Sequence, residues 1–433
     1  LSNEFGITTL INSTKDVHLL LITRFIRMFA YGSSTLILAL FFAALGHSDT
    51  KIGLFMTLTL VGDVAISLGL TLIADALGRR KILLLGALLM IVSGVVFANM
   101  SNYWTLLFAA MVGVISPSGN EIGPFRAVEE STLAHLTEAK TRSDIFALYV
   151  VAGTLGTAGG SLTSGWVTQE LQSRGWSDIA SFRLIFWIYA VIGAVKAGMT
   201  LLLSDSCEMQ RQNRGDESEE QQPFLDDADA EEEVPPQAPT KPKKVKWLDL
   251  SPKSQATLAK LCGLFFFDSL ASGMVPASLV AYFISRKFGM AEGTLGTIMA
   301  SAQFVSSIGN ILASSVAKRI GLVRTMVFTH LPSAIFLALL PAPSSLFMTI
   351  VLLVARSVLS SMDQAPRSAF LSAVVLPEER TAVMGIVNTV KTMSQSSGPL
   401  ITGALASDKR FWVAFVIAGS LKASYDLAML SMF

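Results

Sequence analysis

The chain has 433 residues, of which 52% are hydrophobic and only 15% charged, with a mean hydropathy of +0.55. Soluble domains carry about 25% charged residues, so this composition excludes a soluble enzyme, a nucleic-acid binder and a disulfide-stapled secreted domain. It supplies enough apolar residues for about a dozen membrane spans of ~20 residues each, and the net charge of +1 hides a basic body with an acidic insert.

In chain order, the apolar segments predict twelve spans, at roughly 17–41, 52–75, 81–99, 103–125, 143–168, 182–203, 256–283, 293–316, 323–341, 345–372, 381–406 and 411–432. Segments this long must satisfy their backbone internally and are expected to be helices. The first is long enough to span and lacks a compact basic region before it, which argues against a cleavable signal peptide. The connections are short except for 204–253, which holds 13 acidic and 7 basic residues. Ten of its acids fall between Asp216 and Glu233, followed by Pro235, Pro236, Pro239 and Pro242 and by Lys241, Lys243, Lys244 and Lys246. Such a composition builds no core and reads as a disordered linker. The expected organisation is a six-helix bundle over 1–203, an acidic linker over 204–253 and a second six-helix bundle over 254–433. Without the linker the body carries a net charge of +7. The only cysteines, Cys207 and Cys262, support no disulfide framework.

Loop charges set the orientation. One side carries Arg79, Arg80, Lys81, Lys140, Arg142, Lys318, Arg319, Arg324 and Arg380, the other Lys51, Arg174, Arg183, Arg286, Lys287, Lys409 and Arg410. The linker adds its basic residues to the first side, so both termini and the linker are expected in the cytoplasm. The halves also repeat. A shift of 243 carries Gly46 to Gly289, Gly53 to Gly296, Gly78 to Gly321 and Lys81 to Arg324. A shift of 238 carries Arg142 to Arg380, Gly160 to Gly398 and Gly165 to Gly403, and Phe186-Trp187 with Lys196 recurs as Phe411-Trp412 with Lys422. Parallel six-helix repeats point to two bundles with a binding site between them.

Between spans 2 and 3, Asp75-Ala76-Leu77-Gly78-Arg79-Arg80-Lys81 resembles the G-x-L-A-D-R-x-G-R-R/K signature loop of the major facilitator superfamily. The chain keeps Asp75, Gly78, Arg79 and Arg80, but has Thr71 for the first glycine and Ala76 for the usual Arg. Lys318-Arg319-Ile320-Gly321 is a weaker echo in the second half. The resemblance implies an all-α polytopic membrane protein of two six-helix bundles related by a pseudo-two-fold axis, working by alternating access as the halves rock. It also implies that Asp75, Gly78, Arg79 and Arg80 latch the halves on the cytoplasmic side. The charges of Asp75 and the Arg pair at helix ends suit that role; setting topology alone is the competing reading.

A charge at the centre of a span costs about 2.5–3.5 kcal/mol on insertion scales. Asp63, Asp268, Arg356 and Lys391 lie near mid-depth, and Arg24, Arg27, Glu121, Asp363 and Arg367 lie nearer the cytoplasmic end. Helical spacing groups Arg24, Arg27, Tyr31 and Thr35; Arg356, Ser360, Asp363 and Arg367; Asn388, Lys391 and Gln395; and Gln303, Ser307 and Asn310. Polar faces on apolar helices suit a hydrophilic pathway. Interhelical pairing, such as Arg24–Glu121 or Asp363–Arg367, is the structural alternative, and Lys422 with Asp426 one turn later is expected to neutralise itself. Lys196 in the sixth span breaks this pattern and is expected to snorkel. Spans 4 and 10 end in similar acid–Pro–Arg runs, Glu121…Pro124…Arg126 and Asp363…Pro366…Arg367, which suggest an intracellular gate.

The sequence thus points to a proton-coupled secondary transporter. Asp63 and Asp268 are the candidate proton sites. Arg356 and Lys391, with Arg27, Gln395 and Gln303, are the candidate contacts for a small anionic or polar solute. Two other readings compete: a proton antiporter exporting hydrophobic compounds past Phe265, Phe266 and Phe267, and a non-transporting sensor on the same fold. Antiporters of the family have a glycine-rich fifth span with a Gly-Pro step; here Ser161 follows Gly160. Scattered His18, His47, His135 and His330 show no metal-ligand spacing, and no phosphate-cradling loop is present, so neither enzyme activity, metal nor cofactor is expected. The expected partners are a small solute, protons and the bilayer, with no nucleic acid and a single chain as the unit. The plasma membrane is the expected location. A lysosomal or vacuolar membrane is the alternative, because Glu220-Gln221-Gln222-Pro223-Phe224-Leu225 resembles an acidic dileucine-type sorting signal.

Overall fold

The computed structural model describes residues 7–113, 115, 124–138, 142–208, 252–363, 366–367, 370–371, 374 and 380–432. The described residues form α-helices and no strand. A short α1 (Ile7–Ile11) precedes α2 (Lys15–Ala44), α3 (Asp49–Leu77), α4 (Arg79–Asn99), α5 (Tyr103–Gly113), α6 (Pro124–Leu136), α7 (Arg142–Ser173) and α8 (Asp178–Leu201). After a single 3-10 turn at Asp205–Cys207, the second half contains α9 (Pro252–Met274), α10 (Ala277–Phe288), α11 (Glu292–Ile320), α12 (Leu322–Leu339), α13 (Leu346–Ser361), α14 (Arg380–Ser407) and α15 (Phe411–Met432). Most of the expected linker lies outside the described residues.

Among the described residues, six helices are long and apolar enough to cross a membrane: α2, α4, α8, α12, α15 and the Asp144–Ser173 stretch of α7. The Thr257–Met274 part of α9 and α10 form a further span, bent by 43°. Helices α3, α11 and α14 have 28–29 residues, about 42 Å at 1.5 Å per residue and longer than the ~30 Å hydrocarbon core. Three expected spans are interrupted. The seventh bends at Pro276, which has no N–H to donate and disfavours helix at the residue before it. The fourth is not helical at Ile115, and the tenth turns at Met362 and Asp363 after α13, with helix again at 366–367 and 370–371.

The repeat has a backbone signature. Gly78 and Gly321 join α3 to α4 and α11 to α12 with φ of 96° and 89°, where a Cβ would clash with the backbone. Each half packs its first helix on its fifth, α2 on α7 and α9 on α14. The contacts correspond across the repeat: Ser164 Oγ donates to the Ser33 carbonyl at 3.0 Å, and Thr402 Oγ1 to the Met274 carbonyl at 2.7 Å.

The halves meet through α3 on α14, α7 on α11 and α2 on α10. Two close crossings hold them together, and they too correspond across the repeat. A Cβ on Gly53 would lie 2.3 Å from the Pro399 carbonyl oxygen, and one on Gly403 would lie 2.5 Å from that of Asp49. On the other crossing, a Cβ on Gly165 would lie 2.3 Å from the Glu292 oxygen, and one on Gly296 would lie 2.5 Å from that of Ser161. Hydrogen bonds cluster beside them: Thr50 N–H to Ser407 Oγ at 3.0 Å and Gly293 N–H to Gln169 Oε1 at 3.1 Å. Asp49 also accepts from Tyr282 at 2.8 Å and Arg286 at 2.7 Å. All of these lie at the end of the molecule away from the chain termini. An aromatic core fills each half at the same end, with Phe41, Phe42, Phe55, Phe97 and Phe186 in one and Phe283, Phe411 and Phe415 in the other. Trp104, Phe108, Phe328, Phe347 and Trp412 are exposed, as side chains facing lipid are.

Candidate functional site

The cavity that gathers most of the predicted solute contacts lies in the C-terminal half, between α9, α10, α11, α13, α14 and α15, and has a volume of about 220 Å³. Residues one turn apart on α13, Arg356 and Ser360, share a face towards it. Ser357, Ser361, Gln303, Ser306, Ser272, Gln395 and Lys422 complete its polar wall, and Val275, Val280, Met299 and Leu353 its apolar one. Close approach of α11 to α13 at Gly309 lets Ser361 donate to the Ser306 carbonyl at 2.8 Å. No carboxylate among the described residues makes an ion pair with Arg356. Lys391 is not part of this wall; its ammonium lies 5.2 Å over the Phe265 ring. Phe265 is buried in the core, whereas Phe266 and Phe267 are exposed, so the three do not form an aromatic pocket.

Behind the cavity is a buried ionic cluster. Asp268 on α9 accepts from Arg367 Nη1 at 2.6 Å through one oxygen and from Lys422 Nζ at 2.7 Å through the other. Arg367 also pairs with Asp363, one helical turn before it, as the structural alternative expected. Lys422 does not pair with Asp426. It reaches across to α9, bonding Asp268 and Ser272, while Asp426 pairs with His330 on α12 at 2.9 Å. Turn spacing offers a partner, but a carboxylate presented from a neighbouring helix in a low-dielectric interior attracts more strongly than a helix-surface pair does.

The N-terminal half has a matching cluster with the charges exchanged. Arg27 on α2 donates to Glu129 on α6 at 2.6 Å, where the other half has Asp268 on α9 and Arg367 after α13. Lys196 adds a contact to Glu129 at 3.4 Å, and Tyr149 donates to it at 2.7 Å. Arg24 lies 4.5 Å over the Tyr149 ring. Asp63 is buried on α3. Arg27 therefore belongs to this cluster and not to the cavity with Arg356.

Among the described residues, Arg79, Arg80 and Arg126 of the expected latch hold contacts within their own half. Glu208 accepts from the backbone N–H groups of Arg79 at 2.7 Å and Arg80 at 3.1 Å, at the start of α4, and the Arg80 side chain pairs with Asp205. Gly78 supplies the turn before them. The side chains of Asp75 and Glu121 lie outside those described. Arg126 pairs with Glu130 four residues later at 2.7 Å. Cys207, in the turn that supplies Asp205 and Glu208, is fully buried, and burial pushes its thiol up to about 12. Among the described residues no group of three or more His, Cys, Asp or Glu is arranged to hold a metal.

Sequence reasoning missed Glu129 and His330. Glu129 lies between the fourth and fifth expected spans, and His330 is one of four scattered histidines with no ligand spacing. The recurrence of Lys196 as Lys422 was the available signal: two buried ammonium groups at equivalent places require two buried acids.

The Major Facilitator Superfamily model matches residues 20–254 and 261–430. Over 425 residues, 97% of this chain and 94% of the relative, the chain is 36% identical to the Saccharomyces cerevisiae uncharacterized membrane protein YJR124C. The fold resembles the crystal structure of nucleoside transporter NupG, with a TM-score of 0.68 at 15% identity, covering 97% of this chain and 99% of that one. It also resembles the crystal structure of a D-xylose-proton symporter, with a TM-score of 0.68 at 14% identity, covering 95% and 96%.

Proposed function

Because the chain belongs to the major facilitator superfamily and is an integral, multi-pass membrane protein, we propose that it is a secondary active transporter, working by alternating access, for a small anionic or strongly polar solute. The observation that carries this reading is Arg356, a guanidinium facing a cavity of hydroxyl and amide side chains with no carboxylate among the described residues paired to it. A cation so placed is stabilised by an arriving anion. Gln303, Gln395 and the serines supply neutral donors and acceptors that orient a solute without fixing its charge. Protons drive the cycle, on acids buried in the same half.

With both termini and the linker in the cytoplasm, the end where the halves meet is extracytoplasmic, as it would be in an inward-facing state. The paired glycine crossings are then its outer seal, which opens when the halves rock. The solutes in the names of the structural neighbours differ from one another, and at 14–15% identity neither transfers to this chain. The chain acts as a monomer in the plasma membrane; relocation of intact protein after Phe224→Ala with Leu225→Ala would place it in a lysosomal or vacuolar membrane instead.

Thermal unfolding of purified protein with benzoate, succinate, uridine, xylose and tetraphenylphosphonium tests the charge selection. The anions are expected to stabilise the wild type, and Arg356→Ala to weaken their binding by about 2–5 kcal/mol, as loss of a buried charge partner does. Arg356→Lys should fail as well if the solute is held bidentately. Stabilisation by the neutral or cationic compounds alone, unchanged in Arg356→Ala, would reject the anion reading.

A further inference from the structure

The ionic cluster behind the cavity contains a titratable pair that solute recognition does not use. His330 on α12 places Nδ1 2.9 Å from each oxygen of Asp426 on α15. Its Nε2 lies 3.7 Å from Asp268 Oδ1. Both side chains of the pair are buried, and the Tyr425 ring stands edge-on to the imidazole at 5.8 Å. The charged groups facing His330 are Asp426 and Lys422 from α15, Asp268 from α9, Arg356 from α13 and Arg367 beyond it. Helix α11 also packs on α12 and adds no charge to the cluster among its described side chains.

The charges in contact do not balance while His330 is neutral. Asp268, Asp363 and Asp426 are three carboxylates; Arg367 and Lys422 are two cations. Asp363 Oδ1 is buried with no hydrogen-bond partner among the described residues. Uncompensated charge is costly in this interior, and one proton removes it. Asp268 is poorly placed to take that proton, because Lys422 and Arg367 already hold its two oxygens. Arg356 and Lys391, the other cations nearby, make no ion pair with these acids among the described residues; Arg356 faces the cavity and Lys391 the Phe265 ring.

We propose that the His330–Asp426 pair binds the coupling proton, and that Lys422, shared between Asp268 and the cavity wall, links its occupancy to the solute. This rests on the proton-coupled reading above. The proton adds to the His330 imidazole, whose cation Asp426 then stabilises, and no other bond forms or breaks. An anion that draws the Lys422 ammonium towards the cavity leaves Asp268 with one cation fewer. A protonated His330, with Nε2 next to Asp268, replaces that charge. Proton and anion therefore stabilise each other's binding, and the linkage is reciprocal, which makes the coupling a symport.

The test uses the full chain with ¹³C-labelled histidine in lipid nanodiscs, its His330 signal assigned through His330→Gln. The expected result is a His330 titration between pH 5 and 9 whose midpoint moves by at least one pH unit in Asp426→Asn and also moves in Lys422→Gln. A ring fixed in one state over that range, or a midpoint indifferent to Asp426→Asn, would overturn the proposal. In proteoliposomes with an imposed pH gradient and radiolabelled benzoate and succinate, His330→Gln and Asp426→Asn are expected to lose at least tenfold of the accumulation while keeping solute exchange, which also reports correct folding. Normal accumulation in both variants would overturn it. If the wild type accumulates neither probe, the anion reading fails, and the histidine titration still decides whether the pair binds the proton.

Discussion

Glu129 joins three buried side chains: it bonds Arg27 and Tyr149 and contacts Lys196. Glu129→Gln removes the carboxylate that both cations contact, and loss of one partner from a buried ion pair costs about 3–5 kcal/mol. The expected outcome is a large fall in thermal stability in detergent, partly reversed by adding Lys196→Met, which removes one of the two cations. Equal stability of the single and double variants would show that Lys196 does not depend on Glu129. At this scale the sequence was partly legible. The cost of burying charge picked out Arg27, Asp268, Arg356 and Asp363 as residues needing partners, because that cost depends on residue type and depth alone. Who pairs with whom depends on helix rotation and on neighbours far apart in sequence, so the crossing of Lys422 to Asp268 was not readable from a one-turn spacing. A simpler residue-scale expectation concerns Cys207, whose buried thiol stays protonated well above neutral pH. The thiolate is the reactive form. Maleimide labelling at pH 7.5 is therefore expected to be unchanged by Cys207→Ser; a halved yield would show that this turn opens.

The repeat of glycines, visible as two constant shifts along the chain, becomes at the level of helices a pair of equivalent crossings. Gly53 on α3 meets Gly403 on α14 as Gly165 on α7 meets Gly296 on α11. The repeat was legible because glycine at these places is required by geometry: the backbones approach too closely for any side chain, as small residues permit in membrane helices. Which repeated glycines face each other was not legible, since the shifts relate residues in different halves and do not say which helices touch. Gly165→Val or Gly403→Val is expected to hold this end of the molecule open while leaving each half folded. Thr50→Cys with Ser407→Cys, whose hydroxyls are 2.8 Å apart, provides the readout. This pair should crosslink readily on the native background and poorly with either valine, and transport should fall with the crosslinking. Undiminished crosslinking would mean that the crossings tolerate a side chain and do not set closure.

For the molecule as a whole, the twelve-span plan and its division by an acidic insert follow from hydrophobic length and charge, which survive any local irregularity. The breaks in the fourth, seventh and tenth spans were harder to see. Each carries a proline, Pro117, Pro276 or Pro366, and a proline can be accommodated in an unbroken membrane helix when neighbours satisfy the freed backbone. The start of the insert proves to be integral to the first half. Asp205 and Glu208 reach back to the signature loop, the latter accepting two N–H groups at the start of α4, where the helix dipole favours an anion. Ser204 and Asp16 fasten the same segment to α2. Beyond Glu208 the composition of the insert gives it no apolar residues to bury in quantity. Two deletions therefore differ in expected outcome. Removing about 212–240 should leave folding and transport nearly unchanged, because the residues lost contribute little core. Extending the deletion back through Glu208, or making Glu208→Ala alone, should cost about 1 kcal/mol through loss of the helix-start acceptor and free Arg79 and Arg80. Fluorescence-detected size-exclusion after heating would separate the two. Misfolding of the shorter deletion would give the insert a packing role, and full stability of Glu208→Ala would mean that its bonds to α4 do not hold the loop.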